Sequence, residues 1–148
     1  MKRILVPLDL TAEPDAITRV VGDAARGAGA TVRLLHVAPP PEAVVDVDGR
    51  TIAYTDQETE RVEAEALDYL RAIEIAFDDV PVEAVVRFGD PAEEILREAD
   101  EFGADLIALT TSRGIGPRCF PLGGTVGRVW RHADAAVLLL KPPALIAA

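Results

Sequence analysis

The chain has 148 residues, with 25 acidic against 15 basic side chains and a formal net charge of −10. This length fits one domain, residues 1–148, whose core needs no disulfide to be stable. The single cysteine, Cys119, excludes an intramolecular disulfide framework and favours a reducing, cytoplasmic location. The acidic field disfavours nucleic acid as a partner, and no apolar run approaches the roughly 20 residues of a membrane span.

Five short runs of apolar residues predict five strands. The first, Ile4 to Leu8, is apolar throughout, which is typical of strands buried on both faces of a parallel sheet. The second is residues 32–37, and the last two are residues 106–109 and 135–140. Residues 82–87 form a mixed run and predict a more exposed strand.

Apolar residues at helical spacing separate these strands. The stripes cover residues 17–28, 62–77 and 92–102, and a fourth helix is predicted to begin near Leu122. Asp90 and Pro91 predict the N-cap and first turn of the third helix, and Gly103 predicts its end. The alternation predicts an α/β fold with a five-stranded, doubly wound parallel sheet, and residues 38–51 as a long exposed connection.

Doubly wound sheets bind ligands at the carboxyl ends of their strands, so residues following the strands are candidate site residues. They are Pro7 and Asp9, then His36 and Val37, then Gly89, and finally the stretch from Thr110 to Thr125.

The segment from Thr110 to Gly124 contains four glycines and two prolines and leads into the last helix. Glycines before a helix let backbone amides approach a phosphate. Residues 106–133 also hold four arginines and no acidic residue: Arg113, Arg118, Arg128 and Arg131. An anion site is one interpretation; an ordinary turn with solvated arginines is the other.

Several stretches together resemble the universal stress protein family over nearly the whole chain. They are ILVPLD (4–9), LLHV (34–37), GDPAEEILREA (89–99), GADLI (103–107) and RVWRHADAAVLLLK (128–141). The resemblance implies a sheet of the adenine nucleotide alpha hydrolase type, with strand order 3-2-1-4-5. It also implies a homodimer and, in one branch of the family, ATP bound by the pattern Gly, two residues, Gly, nine residues, Gly, Ser or Thr.

This sequence departs from that pattern, and two registers are open. Without gaps, Thr110 and Arg113 replace the first two glycines, Gly123 keeps the third, and Gly124 replaces Ser or Thr. Shifted by one residue, Gly114 and Gly124 match and Thr125 takes the Ser or Thr position, with Thr111 first. In the ungapped register Arg113 either fills the phosphate cradle or replaces amide contacts with charged ones.

The resemblance also places Asp9 against the adenosine, and Val37 and Leu109 beside the adenine. Pro7 belongs to the same group of nucleotide-binding candidates. The alternative for Asp9 is a cap of the following helix, and for Val37 and Leu109 it is ordinary core packing. The expected ligand is ATP or another adenine nucleotide, with Mg²⁺ as a companion ion that the nucleotide can bring.

The last strand, residues 135–140, is apolar on both faces yet falls at an edge of the expected sheet. An uncovered apolar edge invites pairing, so we expect a homodimer through this strand.

No residue stands out as catalytic or metal-binding. His36 and His132 match ordinary family positions, and Cys119 is either redox-sensitive beside Arg118 or an inert thiol. The leading hypothesis is a regulatory nucleotide-binding module with at most slow hydrolysis. The alternatives are a dimeric interaction protein without nucleotide, presenting its acidic middle to an unknown protein partner, and a true ATPase or phosphotransferase.

Overall fold

A computed structural model gives the strands and helices of the chain. It describes residues 1–10, 15–40, 44–45, 51–53, 55–110 and 124–140. The elements are, in order, β1 (Arg3–Pro7), α1 (Asp15–Ala28), β2 (Thr31–Ala38), β3 (Val44–Val45), β4 (Thr51–Ala53), α2 (Thr55–Glu74), β5 (Val82–Phe88), α3 (Pro91–Phe102), β6 (Leu106–Thr110), α4 (Gly124–His132) and β7 (Ala136–Leu140).

Five of the strands form one parallel sheet in the order β5-β2-β1-β6-β7. Counting only these five along the chain gives the order 3-2-1-4-5, so the predicted α/β fold is confirmed. Strands β5 and β7 lie at the two edges. The exposed character predicted for β5 agrees with its burial, because none of its residues is fully buried.

Successive side chains of the strands point to opposite faces of the sheet, and each face packs into its own hydrophobic core. Ile4 and Val6 of β1 pack with α1 and α2, whereas Leu5 between them packs with α3 and α4. All three are 0% exposed. Burial of each such side chain contributes roughly 1.5–3 kcal/mol, so the apolar strand runs explain the central position of β1.

Helix α3 has the predicted caps. The side chain of Asp90 accepts a hydrogen bond from the Glu93 amide at 3.0 Å, and Pro91 occupies the first turn. Gly103 ends the helix in the left-handed conformation, with φ of 69°. These contacts satisfy amides and carbonyls that every helix leaves unpaired at its ends.

Two details differ from the sequence prediction. The connection after β2 contains a short antiparallel ribbon of β3 and β4, which are too short to show a period in the sequence. Helix α2 begins at Thr55 and ends at Glu74, so Phe77 lies beyond it, although its side chain still packs in the core at 6% exposure. Among the described residues, no helix is long and apolar enough to cross a membrane.

Candidate functional site

The strand order reverses between β1 and β6, and this reversal places the candidate site. In the sheet, β1 has β2 on one side and β6 on the other, so the chain builds the sheet outward from β1 in two opposite directions. In doubly wound sheets, the crevice for ligands opens at such a point, at the carboxyl ends of the strands. Pro7, Asp9 and Thr110 lie at this end of β1 and β6.

The pairing of β1 with β6 stops short of this end. β1 pairs with β2 over five positions, but with β6 only at Ile4–Leu106 and Leu5–Ile107. The Arg3 carbonyl accepts from Asp105 on the β6 side at 2.9 Å, whereas the Leu8 amide donates to β2. Because backbone groups alternate sides, position 7 faces β6, and proline has no N–H to donate there. Buried Pro7 therefore ends the ladder at the edge where a ligand crevice is expected.

Asp9 is positioned by the residue before it. The Leu8 amide donates to the Leu35 carbonyl at 2.7 Å, and the Leu8 carbonyl accepts from Nδ1 of His36 at 2.9 Å. Asp9 follows as an exposed residue just past the sheet. Burial raises the pKa of Tyr69, and the negative charge of Asp9 raises it further, so the field of this carboxylate reaches α2.

Val37 and Leu109 lie on the face of the sheet that α3 and α4 cover. Leu109 is 3% exposed and belongs to the core cluster, and Val37 packs against that cluster while remaining half-buried. Thr110, half-buried at the end of β6, pairs with Leu140 of β7. The structure thus places Val37 of β2 and Thr110 of β6 at the carboxyl edge on the two sides of β1, with Leu109 buried in the core one residue before Thr110.

Helix α4 begins at this edge with Gly124 and half-buried Thr125. Gly124 has φ of 65°, a conformation that favours glycine. The first turn of α4 carries no acidic residue, so its amides keep their partial positive charge. The arrangement suits an anion.

Arg128, one of the four predicted arginines, pairs with a carboxylate. Arg128 of α4 donates to the Asp90 carboxylate at 3.0 Å, across to the start of α3. This hydrogen bond, followed by the one from the Glu93 amide, lowers the pKa of Asp90, and the carboxylate in turn raises that of Arg128. Neither sequence interpretation, an anion ligand or a solvated side chain, anticipated this pair.

Several predicted site residues lie outside the described part of the chain. They are Arg113, Gly114 and Gly123, together with Thr111, Arg118 and Cys119. Of the predicted nucleotide-binding residues, the structure describes Pro7, Asp9, Val37, Leu109, Thr110, Gly124 and Thr125.

Sequence reasoning missed a charged network between α3, β2 and β5. Glu98 is 2% exposed and accepts from Arg33 at 2.6 Å and from Arg87. The Arg33 guanidinium also lies 4.1 Å from the centre of the Phe102 ring. The available signal was an arginine inside each of two strands that face α3, because buried charges need partners.

Two open cavities lie at the opposite, amino edge of the sheet. The larger, about 380 Å³, is bordered by the ends of α3 and α4, including Gly103 and His132. The smaller, about 330 Å³, lies beside Arg33 and Phe102. Neither includes a residue predicted for the nucleotide site.

A model of the universal stress protein family matches residues 1–141. The chain belongs to the universal stress protein family. A search of curated proteins finds no match.

Solved universal stress proteins share the fold. One, in complex with cAMP, is 18% identical, with 95% of this chain and 96% of that chain covered and a TM-score of 0.66. Another, from Archaeoglobus fulgidus in complex with dAMP, is 20% identical over 94% of this chain and 97% of its own, with a TM-score of 0.59. UspA from Lactobacillus plantarum is 21% identical, with 94% of this chain and 97% of that chain covered and a TM-score of 0.67.

Proposed function

We propose that this universal stress protein binds an adenine nucleotide at the carboxyl edge between β1 and β6 and acts as a regulatory binding module. The observation that carries this proposal is the early end of the β1–β6 ladder, which leaves Asp9 and Thr110 on either side of the opening. The cAMP and dAMP complexes of other family members support it.

The described residues fit the parts of such a ligand. The exposed carboxylate of Asp9 suits the hydroxyls of a ribose, since a carboxylate only accepts hydrogen bonds. Val37 offers apolar surface to a base on the face of the sheet where Leu109 belongs to the core. The first-turn amides of α4, at Gly124 and Thr125, suit a phosphate.

The conformation of Gly124 favours the shifted register of the family's glycine pattern. A position that only glycine occupies without strain is expected to have positive φ, and Gly124 has φ of 65°. It is followed by Thr125, as the Gly–Ser/Thr pair of the pattern requires. In this register Gly114 is the second glycine, and Arg113 takes none of the glycine positions of the pattern.

Calorimetric titration tests the proposal. ATP, ADP, AMP and cAMP are titrated into the purified chain, with and without Mg²⁺, and into Asp9→Asn and Asp100→Asn variants. We expect Asp9→Asn to weaken binding about tenfold or more, because hydrogen bonds to a charged group are worth about 1.5–3 kcal/mol. Asp100→Asn changes an exposed carboxylate of α3 far from the site and should bind as the parent does.

Failure of all four nucleotides to bind would contradict the proposal. It would favour the alternative, a dimeric interaction module without nucleotide, for which the 3% exposure of Leu109 as ordinary core is the supporting observation. Turnover of ATP in the same samples separates a binding module from an ATPase.

We also infer a homodimer through β7. This strand lies at the sheet edge, and four of its five residues are only half-buried. A second copy pairing with it would cover both its apolar side chains and its open backbone groups.

A further inference from the structure

The carboxylate of Asp90 lies where the starts of two helices meet. It is the N-cap of α3, and its Oδ2 accepts from the Glu93 amide at 3.0 Å. Both carboxylate oxygens are 3.0 Å from Nη1 of Arg128 on α4. The pair is 39% and 46% exposed, so an ion from solution can reach it.

Arg128 lies in the middle of α4, one turn beyond the first-turn amides that the proposed function assigns to phosphate. It comes four residues after Gly124, so the two lie on one face of the helix, one turn apart. Side chains of a helix lean toward its N-terminus, so Arg128 extends toward the first turn. That turn has no acid of its own. Asp90 is the carboxylate that the described structure places on this guanidinium.

We propose that Asp90 is an internal counter-anion that competes with the phosphate groups of the nucleotide for Arg128. This competition makes the affinity of the protein for a nucleotide depend on how many phosphates the nucleotide carries. This inference rests on the proposed function. When ligand binds, the guanidinium exchanges a carboxylate that contacts only its Nη1 for phosphate oxygens, with which arginine forms bidentate hydrogen bonds. The hydrogen bond from Arg128 lowers the pKa of Asp90, which is consistent with a carboxylate that is charged while it competes for the guanidinium.

The test is a double-mutant cycle with Asp90→Asn and Arg128→Gln. Asparagine is as good an N-cap as aspartate, so Asp90→Asn keeps α3 while removing the competing charge. ATP, AMP and inorganic tripolyphosphate are titrated into the parent, both single variants, the double variant and the control Asp100→Asn. Circular dichroism and thermal melting verify that each variant is folded.

We expect Asp90→Asn to tighten ATP and tripolyphosphate by about threefold or more, with a smaller gain for AMP. In the Arg128→Gln background the same change should produce a clearly smaller gain, because the guanidinium that Asp90 competes for is gone. An equal gain in both backgrounds would mean a general charge effect and would overturn the inference.

Two further outcomes are distinguishable. If the parent binds ATP but Asp90→Asn binds no tighter, the inference fails and the nucleotide site stands. If no nucleotide or tripolyphosphate binds any of the folded proteins, the proposed function itself fails, and the inference fails with it.

Discussion

Arg33 on β2 donates to the carboxylate of Glu98 on α3, with 2.6 Å between Nη1 and Oε1. The other oxygen of Glu98 accepts from Arg87 on the edge strand β5. Since Glu98 is 2% exposed, its desolvation is offset by two guanidiniums at once. The network therefore ties the edge of the sheet to α3.

Replacing Glu98 by glutamine should destabilise the protein, because two guanidiniums would face a neutral amide. We expect the free energy of unfolding to fall by about 1–3 kcal/mol. This is less than for a fully buried pair, because the arginines are 23% and 22% exposed and keep Glu83 and Glu101 as partners. Urea unfolding measures the loss, with Glu63→Gln on the exposed face of α2 as control. A loss below about 0.5 kcal/mol would contradict the structural role.

The network also shows which parts of the structure the sequence can predict. Strands and helices were predictable because each buries a periodic set of apolar residues, and the caps of α3 depend on neighbours three or four residues away. The pair of Arg33 and Glu98 joins residues 65 positions apart, and that of Asp90 and Arg128 joins residues 38 apart. Such contacts depend on which helix covers which strands, and no local pattern encodes them.

The candidate site was predictable in part, because the positions of the strand ends can be read from the sequence. Asp9 follows β1, Val37 and Thr110 lie at the ends of β2 and β6, and parallel topology brings strand ends together at one edge. The positive φ of Gly124 was not predictable, because four glycines in that segment have equal freedom as far as the sequence is concerned. The early end of the β1–β6 ladder depends on which neighbour Pro7 faces, which requires the register.

Gly124→Ala should destabilise the protein by about 1 kcal/mol, because its φ of 65° strains any residue with a Cβ. Gly27→Ala is the matched control. A Cβ at either glycine would have no described atom within 4 Å beyond its immediate neighbours, but Gly27 lies within helix α1 without positive φ.

The Gly27→Ala control should therefore raise the free energy of unfolding by about 0.5–1 kcal/mol, because alanine has a higher helix propensity than glycine. The two substitutions are expected to change the midpoint of thermal unfolding in opposite directions. Equal effects at the two positions would show that Gly124 does not need its left-handed backbone.

Ala136→Lys should separate the proposed dimer. Ala136 is exposed in the single chain, so lysine fits there without disturbing the fold, whereas a charge on an edge strand opposes pairing with another strand. Sedimentation velocity should give the parent twice the chain mass of 15.8 kDa and the variant a larger monomer fraction.

Val20→Lys, at an exposed apolar position of α1, is the control and should remain dimeric. A parent protein that sediments as a monomer, or a control that dissociates as readily as Ala136→Lys, would contradict an interface at β7.

The ionisation of Asp105 should make the free energy of unfolding depend on pH in the acid range. Its Oδ2 accepts from the Lys2 and Arg3 amides at 2.8 and 2.9 Å, and these hydrogen bonds, in that order, lower its pKa. The pKa in the folded state therefore lies below the unfolded value of about 3.9. The stabilisation is fully present above the unfolded value and is lost as pH falls through the folded one.

Asp105→Asn should consequently be less stable than the parent at neutral pH, with the difference shrinking as the pH falls below the unfolded pKa of about 3.9. Urea unfolding across this range measures both proteins, and Asp100→Asn removes the general effect of one fewer carboxylate. Protonated Asp105 no longer offers a charged acceptor to the two amides, so at the acid limit parent and variant should approach equal stability. A difference that stays constant down to the lowest pH would mean that the bonds to Lys2 and Arg3 do not depend on the charge of Asp105.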